Sequence, residues 1–274
     1  MKIARVFPRR TKATPDDDLA FVGEPDMFMR PGEVDEVHVS IAFTWDWKRG
    51  NELADAWLKI APVFIGGPAT GEPAGEFVPG RYLRHGFTIT SRGCPNHCKH
   101  CFVPKRDGAV RELPIHEGWI VQDDNLLACS EKHVLAVFDM LRRQKQPVEF
   151  SGGFEARRFQ PWHAEALRSL RLYQVFFAYD KPGDFEPLAA AAEICWRAGF
   201  KKGTTHSIRA YVLIGYDGDT FDAATMRLEA VLKLGVIPFA MLFRDETHTP
   251  DKSWKKFLRQ WARPTIICAK VKAA

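Results

Sequence analysis

The sequence predicts an α/β fold: six parallel strands joined by crossover helices, preceded by a small N-terminal βαβ extension. Three observations predict it. Six short strand-like runs each end in glycine or a polar residue. Amphipathic helical stretches fall between most of them. The interval from one strand end to the next is about 30 residues, the size of a βαβ unit. Such a chain folds as an open doubly wound sheet or as a partial barrel. In both, chemistry collects beyond the carboxyl ends of the strands.

Residues 1–36 are rich in Pro, Asp and Arg and hold one apolar patch, Leu19 to Val22. They are expected to form an irregular arm. Alternation at Val37, Val39, Ile41 and Phe43 predicts the first strand. Leu53, Trp57 and Ile60 share one helical face, and Asn51 is a suitable cap. Pro62 to Ile65 predicts a second strand, running into Gly66-Gly67-Pro68. Residues 68–80, with repeated Pro and Gly, read as a linker. The expected domains are therefore 1–80, an arm plus a truncated Rossmann-like βαβ unit, and 81–274, the main α/β body.

In that body the expected strands are Phe87–Thr90, Trp119–Val121, Val148–Phe150, Gln174–Tyr179, Ala210–Ile214 and Ile237–Phe243. The expected helices are 133–145, 162–172, 188–198, one from Asp219 or Thr220 to Leu234, and 253–262. Each has an apolar stripe, such as Val134, Val137, Phe138 and Leu141. Gly199 and Gly235 are placed to end two of them, and Pro264 the last.

Apolar residues are 46% and charged residues 27% of the 274, which excludes a disordered or fibrous chain. The net charge of +5 allows an anionic partner but is small for a protein that coats DNA. No apolar run approaches the roughly 18–20 residues that span a bilayer. The start, MKIARVFPRR, lacks the apolar stretch of a signal peptide. The expectation is a cytoplasmic chain whose six cysteines stay reduced.

Three of those cysteines cluster in Ser91-Arg-Gly-Cys94-Pro-Asn-His-Cys98-Lys-His-Cys101-Phe102, a Cys-x3-Cys-x2-Cys spacing. Three thiolates within eight residues can turn toward one metal centre. A cubane iron–sulfur cluster normally takes four cysteines, so three leave one iron open for a substrate or cofactor. Gly93 and Pro95 suit a bent loop, and Arg92, Lys99, Lys105 and Arg106 would offset the charge of a thiolate-bound cluster. The alternative is structural zinc with His97 or His100 as a fourth ligand. Zinc ribbons, however, usually pair two separated Cys-x2-Cys units, and Cys129, Cys195 and Cys268 are isolated. Cys195 sits on an apolar helix face, as a buried, inert thiol does.

The Cys94–Cys98–Cys101 loop, following the first of six β/α units, resembles the radical S-adenosylmethionine (radical SAM) superfamily over about residues 85–245. The chain as a whole looks most like short radical SAM proteins of phage and prophage type. The resemblance implies a partial (β/α)6 barrel. It implies a [4Fe-4S] cluster on the three cysteines, with S-adenosyl-L-methionine (SAM) on the fourth iron. It implies reductive cleavage of SAM to methionine and a 5′-deoxyadenosyl radical, fed by an electron donor of flavodoxin or ferredoxin type. By the same resemblance Asp123, Asp124 and Asn125, at the second strand end, would receive the methionine ammonium where relatives have Gly-Gly-Glu. Gly152 and Gly153 would let the backbone approach SAM. Asp180 matches the ribose-binding position, and Gly215 belongs to a degraded adenine motif, Tyr211 to Gly218. Ile65-Gly-Gly-Pro68 is similar to part of a cobalamin-binding domain. The unit is too short for the whole domain and lacks an Asp-x-His-x-x-Gly motif, so no bound cobalamin is expected.

Glu155, Arg157 and Arg158 read as surface charges. Arg244 is placed to contact a carboxylate or phosphate, or to pair with Asp245 or Glu246. The final helix carries Lys252, Lys255, Lys256, Arg259 and Arg263, followed by Lys270 and Lys272. A basic face beside Trp254 and Trp261 is of the kind that tracks nucleic acid. The more ordinary arrangement puts the tryptophans in the core and the lysines in solvent. A non-catalytic nucleic-acid-binding protein, stabilised by zinc or an iron–sulfur cluster, is thus the competing reading. A nucleobase or nucleotide is one fitting substrate.

Overall fold

Ile3-Ala-Arg-Val-Phe7 lacks strand-like alternation and forms a buried strand nonetheless. In a computed structural model, which describes residues 1–73, 75–203, 207–245, 249–262 and 267, it is β1. Beside it run β2 (Ala20–Val22), β3 (Glu36–Ser40) and β4 (Val63–Gly66), in the order β2-β1-β3-β4 with every pairing parallel. Residues 1–36 are thus not an irregular arm, since they supply half of a four-stranded sheet. Arg5 disguised β1. Its guanidinium pairs with Asp17 and donates to the carbonyls of Gly80 and Arg81 (3.2 and 2.9 Å), so a charge sits in a buried strand.

Helix α1 spans Trp47–Trp57, beginning four residues before the expected Asn51 cap. Asn51 lies inside it and donates to the Trp47 carbonyl (2.9 Å). Gly50 also lies inside it. A Cβ there would lie 2.2 Å from Ile41 Cδ1, so the helix keeps a glycine to pack on β3's extension. Leu53, Ala54 and Trp57 bury against Ala4, Val6, Val37, Val39 and Ile41. Among the described residues of 68–80, Pro68–Thr70 forms a single 3-10 turn, and the Arg81 amide donates to the Val78 carbonyl (3.2 Å).

The six expected strands of the main body all form. They are β5 (Phe87–Thr88), β8 (Ile120–Val121), β9 (Val148–Phe154), β10 (Leu172–Tyr179), β11 (Ile208–Ile214) and β12 (Ile237–Leu242), numbered with a separate antiparallel pair, β6 (Ser91–Arg92) and β7 (Arg111–Glu112). Their order is β5-β8-β9-β10-β11-β12, with no reversal, and the pairings from β8 to β12 are parallel. A doubly wound sheet reverses order at a switch point; this one does not. Among the described residues the sheet is open, with no closed barrel.

Between strands lie α3 (Glu131–Arg142), α4 (Pro161–Arg168), α5 (Phe185–Arg197) and α6 (Phe221–Lys233). The short α2 (Val103–Arg106) precedes them and α7 (Lys252–Gln260) follows. Ser130 and Thr220 cap α3 and α6, accepting from the amides of His133 and Ala223 (3.3 and 3.2 Å). Gly199 and Gly235, at φ +93° and +82°, follow the ends of α5 and α6. The helices' apolar stripes bury against Val148, Phe150, Val175, Phe177, Ala210 and Val212. Trp261 is buried and Trp254 packs on Phe221, while Lys252, Lys255, Lys256 and Arg259 face solvent. Glu246, Arg263, Pro264, Cys268, Lys270 and Lys272 lie outside the described residues.

The chain packs as two compact units, Met1–Phe87 with Gly93–Ala109, and Thr88–Arg92 with Val110–Ala274. The cysteine loop therefore groups with the N-terminal sheet rather than with the main body.

His163, in α4, gives the fold a pH dependence. Only 4% of it is exposed. Trp162 and Phe159 stack on it, and its Nδ1 accepts from the Gln160 amide (2.9 Å). Burial pushes its pKa down to about 4. Between pH 6.5 and about 4 the unfolded chain binds a proton that the native imidazole refuses, so stability falls as pH falls through that window. The loss from this group is about 3 kcal/mol. Urea unfolding of wild type and His163→Gln should show a shallower pH slope in the variant across pH 4–6.5. Equal slopes would remove His163 as the cause.

Candidate functional site

The cysteine loop starts where β6 ends. Gly93 has φ +86°, and a Cβ there would lie 2.2 Å from the Ala109 carbonyl oxygen, so only glycine fits the turn. The Cys94 amide donates to the Gly108 carbonyl (3.0 Å) and closes the loop's base. The Cys101 amide donates to the Cys98 carbonyl (3.1 Å), which places these two cysteines on one tight turn. All three thiols are half-buried, and no described cysteine is in a disulfide. Arg106 pairs with Asp107 (2.5 Å) and Arg92 faces Asp124 (3.9 Å). Of the expected charge-balancing residues, Lys99 and Lys105 remain exposed.

Among the described residues, no three His, Cys, Asp or Glu are gathered around a single-ion position. The cysteines of a cubane each hold a different iron and stand wider apart than donors around one ion. The donor set fits such a cluster chemically, with three sulfur donors on one closed loop and soft ligands for iron. Burial pushes Cys129 up to about 11 and Cys195 up to about 12, so both stay thiols and neither suits a ligand role.

Seven further candidates lie along the carboxyl edge of the parallel sheet. Asp123 turns inward. Its Oδ1 accepts from the Thr90 amide (2.6 Å), and its Oδ2 accepts from the Thr90 and Ser91 hydroxyls (2.5 and 3.0 Å). Burial raises its pKa, and these hydrogen bonds oppose the rise. It ties the chain just after β8 to Thr90 and Ser91. Asp124 is directed at Arg92. Asn125 donates to Glu155 Oε2 (2.8 Å), which also accepts from Arg158 (2.8 Å). Arg157 pairs with Asp184 (3.2 Å).

Gly152 and Gly153 lie inside β9, which continues past the expected end at Phe150, with a register shift against β10. A Cβ on Gly152 would lie 2.0 Å from the Asp123 carbonyl oxygen, whereas one on Gly153 meets only ordinary contacts at 3.6 Å. The close approach at Gly152 is to the neighbouring strand. Gly152→Ala should cost about 1–3 kcal/mol, and Gly153→Ala should unfold like wild type in urea. Equal stabilities for the two variants would contradict this geometry.

Asp180 follows β10, half-buried. Burial first and Asp184 second raise its pKa, against Lys181. Gly215 follows β11 at φ +72°, with its amide on Asp219 Oδ2 (2.7 Å). A Cβ there would lie 2.5 Å from Leu242 Cδ1, so the turn itself requires this glycine.

Two clusters escaped the sequence reading. On one sheet face Phe176 stacks on Tyr211 (4.2 Å), Phe239 stands edge-on to both, and the Arg209 guanidinium lies over Phe176 and Phe239. Tyr211 donates to the Ser151 carbonyl (2.9 Å), and burial pushes it up to about 12. The signal was the alternation of Arg209 and Tyr211 with buried Ala210 and Val212. In the N-terminal unit, His38 lies between Tyr82 (2.5 Å) and Glu36 (3.1 Å), a contact across 44 residues with no local signature.

No protein-family model matches the chain, and no curated protein matches it significantly.

Proposed function

We propose that the chain is a radical SAM enzyme in which Cys94, Cys98 and Cys101 hold a [4Fe-4S] cluster and leave one iron for SAM. One observation carries the reading: the Cys-x3-Cys-x2-Cys loop follows the first strand of six β/α units. The sequential strand order favours the wall of a partial (β/α)6 barrel over a doubly wound sheet. Bound there, cluster and SAM would supply reductive cleavage to methionine and a 5′-deoxyadenosyl radical, the agent of hydrogen abstraction.

The chain's own residues would bind and orient. Asp124 and the Asn125–Glu155 pair offer oxygens to an ammonium at the end of β8. In this reading Gly153 would bring its backbone near SAM, and Asp180 would accept from ribose hydroxyls. Asp123 would hold Thr90 and Ser91 against the end of β8. Phe239, exposed beside Tyr211, would offer a ring for stacking, while Phe176 and Arg209 are buried behind it, and a nucleobase or nucleotide is the substrate class this reading carries. An electron donor of flavodoxin or ferredoxin type completes the system. No described helix is long and apolar enough to cross a membrane.

Anaerobic reconstitution with iron and sulfide tests the reading. The expected result is about four irons per chain, with 5′-deoxyadenosine formed from SAM under dithionite. One zinc per chain and intact SAM would overturn it.

A further inference from the structure

Helix α7 carries its charge in one line. Lys252, Lys255, Lys256 and Arg259 stand at i, i+3, i+4 and i+7, all exposed, on a stripe about 10 Å long. The opposite face is pinned down. Trp254 packs on Phe221 (ring centroids 4.4 Å), and Phe257 and Trp261 are buried. The helix is therefore a fixed mount for the four cations.

The arrangement is electrostatically unfavourable for the protein alone. The stripe contains four like-charge pairs at i,i+3 or i,i+4 spacing, each of which weakens a helix. Lys252 and Lys255 also sit in the first turn, where the helix dipole disfavours cations. The helix has no acid of its own, and among the described residues none of the four cations is in an ion pair. The nearest acid in sequence, Asp251, caps the helix, accepting from the Ser253 hydroxyl and the Trp254 amide (2.6 and 2.9 Å), and its charge also attracts Lys255, leaving three of the four cations without a counter-charge among the described residues. A row of anions would relieve every one of these repulsions.

We propose that the exposed face of α7 is a contact surface for the phosphate backbone of nucleic acid. A polymer with closely and regularly spaced negative charges matches a straight row of cations, and binding is favoured by counterion release. The surface goes beyond SAM chemistry, and its test needs neither cluster nor SAM.

The test is fluorescence anisotropy of the full chain with labelled 20-base-pair DNA and a 20-nucleotide single strand, at 50 to 200 mM NaCl. Four phosphate contacts predict a log–log salt slope of about −3 to −4 on duplex, roughly a hundredfold weakening over that range. Lys252→Glu, Lys255→Glu, Lys256→Glu and Arg259→Glu combined should abolish binding at 50 mM. Should that variant misfold by circular dichroism, Lys256→Gln and Arg259→Gln singly should each reduce the slope by about one. Arg197→Gln, on α5 and paired with Glu193, should change nothing. No binding at 50 mM, a slope indifferent to the α7 variants, or binding to phosphatidylserine vesicles but to neither oligonucleotide would each overturn the proposal.

Discussion

Alanine at Cys94, Cys98 or Cys101 should leave a folded protein that binds less than about one tenth of the wild-type iron and forms no detectable 5′-deoxyadenosine. The reasoning starts from coordination. Two thiolates cannot hold a cubane that already lacks its fourth protein ligand. Substitutes are few. Cys195 is fully buried on α5 with its pKa pushed up to about 12. At pH 8 only about one in ten thousand of its molecules is thiolate. Cys129, pushed up to about 11, is little better. Cys195→Ala and Cys129→Ala should therefore keep the cluster and the activity. Iron analysis and product chromatography on the five variants make the check. Full iron content in any of the three loop variants would remove the cluster assignment.

Arg227→Met should lower the melting temperature by roughly 6–20 °C. Arg227 and Asp219 form an ion pair with side chains 8% and 1% exposed. Arg227 Nη2 also donates to the Leu213 carbonyl (3.1 Å). Asp219 accepts in turn from the Gly215 amide (2.7 Å) and, through Oδ1, from the Thr220 amide (3.0 Å). Removing the cation leaves a buried carboxylate without its counter-charge, a loss of about 3–5 kcal/mol. For a domain of this size each kcal/mol is worth about 2–4 °C. The double variant Arg227→Met with Asp219→Asn should be more stable than Arg227→Met alone, because the stranded charge is gone. Calorimetry on the two variants decides, and a shift under about 2 °C for Arg227→Met would contradict the pair's role. The same network fixes the turn at Gly215, so the end of β11 should lose order with it.

The main body was legible because its signals are local. Each strand is one apolar run. Each helix repeats with the period of its buried face, and Ser130, Thr220, Gly199 and Gly235 mark helix ends by their own backbone preferences. Where packing partners are distant the reading failed. β1 was hidden because Arg5 is neutralised by Asp17 and by carbonyls some 75 residues away. The start of α1 was misplaced because Asn51 has a capping preference, yet it lies inside the helix and donates to the Trp47 carbonyl. β9 was cut short at Phe150 because a glycine pair imitates a turn.

The site divides in the same way. Three cysteines within eight residues, and four cations spaced for one helix face, are properties of short segments. The amino-acid order alone determined them, since chain geometry leaves such neighbours little freedom to separate. Which way Asp123 turns, why Gly152 has no room for a side chain and which strands lie side by side were decided only by the tertiary structure. Those outcomes depend on Thr90, on the Asp123 backbone and on the sheet's hydrogen bonds, groups that meet only when strands distant in sequence pair.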